Sequence, residues 1–284
     1  MGANTKYKDS VFSFLFSDPD LLRELYCALE GVALPEDVPV KINTLQDVLF
    51  MDRINDISFE IGGKLVVLLE HQSTINPNIA LRLLMYIARV YEKIIDKKSI
   101  YGTQLQPLPR PEFFVLYNGK ADYPDEKTIK LSDAYEDVTS LGLPFKGSPA
   151  LDLEVKVINI NQGRNERIVK KCKTLAGYSA FVGKVQEYEK EKMPREDAIK
   201  KAIKYCLEQD ILKEFLEENS SEVMNMLILD WNMEDAMAVR FEEGIEKGIE
   251  KGIEKGIEKE REYVLSLFKQ GLSTEEIQQR LEHD

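Results

Sequence analysis

The stretch that most constrains the fold is DISFEIGGKLVVLLEHQST, residues 56–74. Ile57, Phe59 and Ile61 alternate with Asp56, Ser58 and Glu60, the period of two of a half-buried strand. Residues 65–69 are apolar throughout and bounded by Gly63 and Glu70, as in a strand covered on both faces. The Gly62-Gly63 pair between them predicts a β-hairpin. A helical pattern over 78–98 follows, with Ile79, Leu83, Tyr86, Ile87, Val90, Tyr91 and Ile94 on one face and Pro77 just before it. Two further strand patterns, PEFFVLYNG (111–119) and LDLEVKVINI (151–160), lie beyond that helix, with a loop-rich stretch over 120–150 between them. A long helix connecting strands requires a crossover, so the chain is predicted to be an α/β protein with a mixed sheet.

Upstream, QDVLFMDR (46–53) is a third strand candidate. Before it, apolar residues at helical spacing run from Phe12 to Leu29, interrupted at Asp18-Pro19 and closed by Gly31, which predicts a helical hairpin or one kinked helix. From 163 to about 240 the pattern is helical.

The polar end of the hairpin is where chemistry can reside. Residues two apart on a strand share a face, so Glu70 and Gln72 project together and His71 projects oppositely. A loop spanning Gly62 to Lys64 pairs residue 56 with residue 70 and puts Asp56 on that face; a two-residue Gly62-Gly63 turn pairs it with residue 69 and sends it to the other. Two carboxylates meeting at the end of an apolar hairpin repel each other and are poorly solvated, and a hard divalent cation resolves both problems. Mg²⁺ takes oxygen ligands, commonly one or two carboxylates plus substrate phosphates, and can activate water against a phosphodiester.

Composition removes several alternatives. Two histidines, His71 and His283, and three separated cysteines, Cys27, Cys172 and Cys206, leave no zinc cluster or disulfide framework. P-loop, dinucleotide-binding and Ser/His/Asp patterns are missing as well. No apolar run reaches the roughly 18 residues of a membrane span, and the N-terminal segment has no secretory h-region, so a cytoplasmic protein is expected. The net charge of −12 is uneven: residues 1–185 hold 23 Lys+Arg against 24 Asp+Glu, whereas residues 186–284 hold 15 against 26. The acidity therefore belongs to the C-terminal third, and the larger part can still carry a phosphate-binding face.

KYKDSVFSFLFSD, NDISF and VVLLEHQSTINPNIALRLLMYIARVYEKII together resemble the recombination-promoting nucleases, also called PD-(D/E)XK nuclease family transposases, with similarity over about residues 5–230. The resemblance implies a restriction-endonuclease-like mixed β-sheet core flanked by helices, and metal-dependent DNA cleavage linked to recombination or mobile elements. It makes Asp56 the motif aspartate, Glu70 the second metal-binding acid, and Gln72 the occupant of the motif lysine position. Glutamine is usual there within this family, but it lacks the charge with which a lysine stabilises a developing oxyanion. The rival expectation is a non-catalytic DNA-binding or oligomerising protein on a nuclease scaffold.

Further candidates are Asp9, as an accessory acid in the first helix, and His71, as a phosphate ligand or a hydrogen-bonded link between sheet and helix. Arg82, Arg89 and the basic run Arg164, Arg167, Lys170 and Lys171 are candidate DNA contacts. The expected organisation is a nuclease core over 1–185, a helical extension over 186–240, a Gly-Ile-Glu-Lys repeat over 241–262 and a short helical pair over 263–284. In the repeat, Ile245, Ile249, Ile253 and Ile257 form a slowly drifting helical stripe, a candidate seam for a homo-oligomer.

Overall fold

The computed structural model describes residues 11–43, 56–74, 76–96, 98–142 and 147–227, together with scattered helical residues between 249 and 267; of residue 56 it describes the backbone. The first elements among the described residues are two helices, α1 (Val11–Leu15) and α2 (Pro19–Glu30). The break between them falls at Asp18-Pro19: the Asp18 carboxylate accepts the backbone N–H of Asp20 at 2.7 Å and Pro19 occupies the first turn, where no amide donor is needed. Gly31 ends α2 in the left-handed region at φ 70°.

Six strands follow: β1 (Val40–Asn43), β2 (Asp56–Ile61), β3 (Leu65–Gln72), β4 (Arg110–Tyr117), β5 (Glu126–Lys130) and β6 (Glu154–Asn159). They form one sheet in the order β1-β2-β3-β4-β6-β5. The first three strands are an antiparallel meander, β3, β4 and β6 run parallel, and β5 returns antiparallel on the edge. Helix α3 (Ile79–Ile94) makes the crossover from β3 to its parallel neighbour β4. The succession α2, β1, β2, β3, α3, β4 on a mixed sheet is the restriction-endonuclease-like arrangement that the resemblance implies.

Each face of the sheet is covered, which explains the apolar run of β3. Its even-numbered residues Val66 and Leu68 pack with Ile79, Ala80, Leu83, Ile87 and Val90 of α3 and with Val115 and Val157 of the neighbouring strands. Burying each of these larger side chains contributes roughly 1.5–3 kcal/mol. The odd-numbered Val67, Leu69 and His71 are buried on the opposite side, where the Phe12 ring stacks on His71 with centroids 4.8 Å apart.

Two strands were not evident in the sequence. β1 has four residues directly after Pro39, too few for a period to register. β5, EKTIK, is an exposed charged edge strand inside the stretch read as loop, and lysines on an edge discourage pairing with other chains. The strand expected over 46–53 lies outside the described residues. Helices α4 (Glu166–Val169), α5 (Lys173–Lys190) and α6 (Arg195–Glu208) and a further helix over 213–227 follow the sheet. Helix α5 continues through residue 185, and the chain divides into compact units at Met1–Ile228 and Leu229–Asp284. In the second unit Ile249, Ile253 and Ile257 are helical and exposed. Among the described residues, no helix is long and apolar enough to cross a membrane.

Candidate functional site

The hairpin loop decides which face of the sheet position 56 shares. Gly62 and Gly63 both adopt left-handed backbone, at φ 58° and 65°, and Lys64 completes a three-residue loop that closes with Lys64 N–H donating to Ile61 C=O at 3.1 Å. Ile61 therefore pairs with Leu65, and the register carries through to Asp56 opposite Glu70. Directly opposed residues of an antiparallel pair share a face, so position 56 lies on the face of Glu70 and Gln72 rather than on that of His71.

Glu70 is 3% exposed at the end of β3, on the side of the sheet that α3 covers. Two donors converge on its Oε1: the Arg82 guanidinium from α3 at 3.0 Å and the Gln72 amide at 2.5 Å. Arg82 also donates to the Tyr86 hydroxyl at 3.1 Å and lies 5.8 Å from that ring's centroid. Of these two donors the charge-assisted bond from Arg82 is the stronger. Gln72 in turn lines a small cavity with Asn76, Tyr117 and Tyr123 at the C-terminal ends of the parallel strands, the place where ligands enter open α/β sheets.

Two carboxylate positions and an amide form an all-oxygen donor set that suits a hard cation keeping several waters. Among the described residues there is no group of three His, Cys, Asp or Glu side chains that could hold a metal. The residues fit a site that shares its cation with substrate oxygens.

His71 occupies the other side of the strand. Its Nε2 lies 3.0 Å from the Tyr178 hydroxyl of α5, which accepts from the Asn118 amide at 3.4 Å. With the ring neutral, Nε2 accepts the tyrosine proton, and the three groups form a chain from the end of β4 through α5 to β3. Burial pushes the His71 pKa down to about 4, against about 6.5 in the unfolded chain. Between those values the unfolded state binds the extra proton, so stability is fully present above pH 6.5 and falls as pH drops toward 4, by about 3 kcal/mol from this group. Urea midpoints compared at pH 7.5 and 4.5 should therefore separate wild type from His71→Gln, the variant showing the shallower decline; parallel declines would remove His71 as the source.

The basic candidates are distributed differently from the acids. Arg164 bridges Asp122 and Asp125, both at 3.1 Å, Arg167 approaches Glu126 at 3.5 Å, and Lys170 pairs with Glu166 at 2.5 Å. Lys171 stands near Gly31 at the end of α2. These pairs are exposed, worth at most about 1 kcal/mol each, and phosphates can displace the acids. Arg89 is half-buried on α3, two turns beyond Arg82. Asp9 lies outside the described residues.

Residues 37–143 match the family described as Putative transposase, YhgA-like. This agrees with the resemblance drawn from the sequence motifs. The transposase-like segment runs from just before β1 to just after β5, so it holds the hairpin, Asp56, Glu70, Gln72, Arg82 and Tyr86, while Phe12 and Tyr178 lie outside it. No curated protein and no solved structure matches the chain.

Tyr178 and Asn118 lie 107 and 47 positions from His71 and join it, directly and through Tyr178, only in the fold, so no local pattern marks them. Arg82 was visible as a cation on a helix. That it turns inward to Glu70 depends on how α3 crosses the sheet.

Proposed function

We propose that this protein is a divalent-metal-dependent endonuclease that hydrolyses DNA phosphodiesters and acts with a mobile element or in recombination. The observation that carries the reading is the register of Asp56 opposite Glu70, with Gln72 two residues on, at the open end of a restriction-endonuclease-like sheet. The transposase match supports nucleic-acid processing, and DNA is the substrate we infer from it.

In this reading Asp56 and Glu70 would hold Mg²⁺, which when bound would supply Lewis acidity and lower the pKa of a water. Gln72 is oriented by its bond to Glu70 and positions the attacking water or the phosphate. Hydrolysis forms one bond from the water oxygen to phosphorus and breaks the bond from phosphorus to the leaving sugar oxygen. The water loses a proton to solvent and the leaving oxygen gains one. Arg89 and the exposed run Arg164, Arg167, Lys170 and Lys171 contact the backbone of the duplex, exchanging their carboxylate partners for phosphates. We place the protein in the cytoplasm, where Cys27, Cys172 and Cys206 remain thiols.

Purified protein should convert supercoiled plasmid to open-circular or linear form with Mg²⁺ and leave it intact with EDTA. A second reading, DNA binding without cleavage, is favoured by the engagement of Glu70 with Arg82 and by the uncharged Gln72. Retarded but uncut plasmid at every divalent cation tried would establish it instead.

A further inference from the structure

Phosphodiester cleavage places negative charge on the phosphoryl oxygens, and an enzyme of this kind gains from a fixed cation beside them. Gln72, at the end of β3, cannot provide one. Arg82 sits one turn into α3, and the parallel crossover brings that turn back over the end of β3. Its guanidinium stands 3.0 Å from the same Glu70 oxygen that Gln72 contacts at 2.5 Å, so charge and amide share one acceptor. The Tyr86 hydroxyl at 3.1 Å, from the next turn of the helix, fixes the direction of the guanidinium. The Arg82 side chain is 25% exposed whereas that of Glu70 is 4% exposed, so the cation lies at the mouth of the site and the acid beneath it.

We propose that Arg82 supplies to the scissile phosphate the positive charge that Gln72 lacks. The inference rests on the nuclease reading above and adds to it the residue that stabilises the transition state. A planar guanidinium suits this task because its fork of donors matches two phosphate oxygens at once. Arg82 has two duties in sequence. Before substrate arrives it neutralises the buried Glu70, and with substrate bound its guanidinium would donate to the phosphate.

The test uses the full chain with Mg²⁺ and supercoiled plasmid, comparing wild type, Arg82→Ala, Arg82→Lys and the double variant Arg82→Ala/Gln72→Lys. Arg82→Ala should lose about 100-fold or more in cleavage rate, and Arg82→Lys should retain most of what charge alone provides. The double variant should recover activity, because it returns a cation to the same acceptor from two residues along β3. A purely structural pair would also regain stability from lysine at position 72, so the salt dependence of duplex affinity is what separates the two roles.

A second readout is independent of turnover. Calorimetric Ca²⁺ titration should show binding kept or tightened in Arg82→Ala, since Glu70 loses a competitor, while affinity for a duplex in Ca²⁺ falls and the dependence of log K on log salt loses about one unit. Arg82→Ala cutting at the wild-type rate would overturn the inference and leave the nuclease reading intact. So would loss of cleavage that lysine at neither position restores, in protein that still melts cooperatively. Should Arg82→Ala fail to fold, Arg82→Lys decides: wild-type salt dependence together with cleavage as low as Glu70→Gln overturns it. Wild type that never cuts removes both proposals.

Discussion

Glu70→Gln is expected to keep the fold and lose cleavage by about 1,000-fold or more, equivalent to roughly 4 kcal/mol of transition-state stabilisation. The amide has the shape of the carboxylate, so the packing of β3 against α3 is preserved, and the partly exposed Arg82 retains water and the Tyr86 hydroxyl as partners. Thermal melting should accordingly move by no more than about 1 kcal/mol. Arg82→Met is the instructive opposite. It leaves Glu70 buried at 3% exposure without its cation, and removal of one partner of a buried pair costs about 3–5 kcal/mol. Glu70→Gln is therefore expected to act mainly on cleavage, and Arg82→Met on both cleavage and stability. Equal destabilisation by the two substitutions, or wild-type cleavage by Glu70→Gln, would contradict this account.

Gly119→Ala is expected to destabilise the protein by about 3 kcal/mol or more, a loss of about 10 °C in melting temperature for a unit of this size. A Cβ on Gly119 would stand 1.9 Å from the carbonyl oxygen of Ser73 and 2.5 Å from the Tyr117 hydroxyl. The first neighbour is backbone and cannot rotate away. It also directly follows Gln72, and Asn118 N–H donates to Gln72 C=O at 3.0 Å, so relief of the clash must part the ends of β3 and β4 where the site lies. Gly183→Ala provides the control. Its Cβ would meet the Gln162 side chain at 2.5 Å, which can swing aside, and alanine within α5 recovers up to about 1 kcal/mol of helix propensity. Melting curves for the two variants should therefore diverge sharply; similar curves would mean that the strand ends are freer than the close approach implies.

Much of this fold is legible because local rules and tertiary packing agree along the chain. The alternation of Ile57, Phe59 and Ile61, the apolar run of β3 and the stripe from Ile79 to Ile94 all specify their elements without knowledge of neighbours. The Asp18-Pro19 break is equally local, since cap and proline act within one turn. The predicted helix over 78–98 stops at Ile94, and Ile95 is extended. Register was the point at which sequence left two answers. One residue in the Gly62–Lys64 loop decides whether Asp56 faces Glu70 or the opposite side, and both glycines permit either loop. Interactions formed across the fold left no pattern to read. Arg82 reaches Glu70 because α3 crosses back over β3, and Tyr178 reaches His71 because α5 packs on the other face. Edge strand β5 was hidden for another reason: its exposed lysines suppress the apolar alternation that marks interior strands.

The central claim is that the two acids brought opposite each other by the hairpin form one metal-dependent centre. The most direct test is Mg²⁺-dependent conversion of supercoiled plasmid by wild type, Asp56→Ala and Glu70→Ala, run side by side with an EDTA control. The account predicts conversion by wild type alone, abolished by EDTA and by either substitution, with all three proteins melting cooperatively. Wild-type conversion that persists in EDTA, or undiminished cutting by either folded variant, would contradict it.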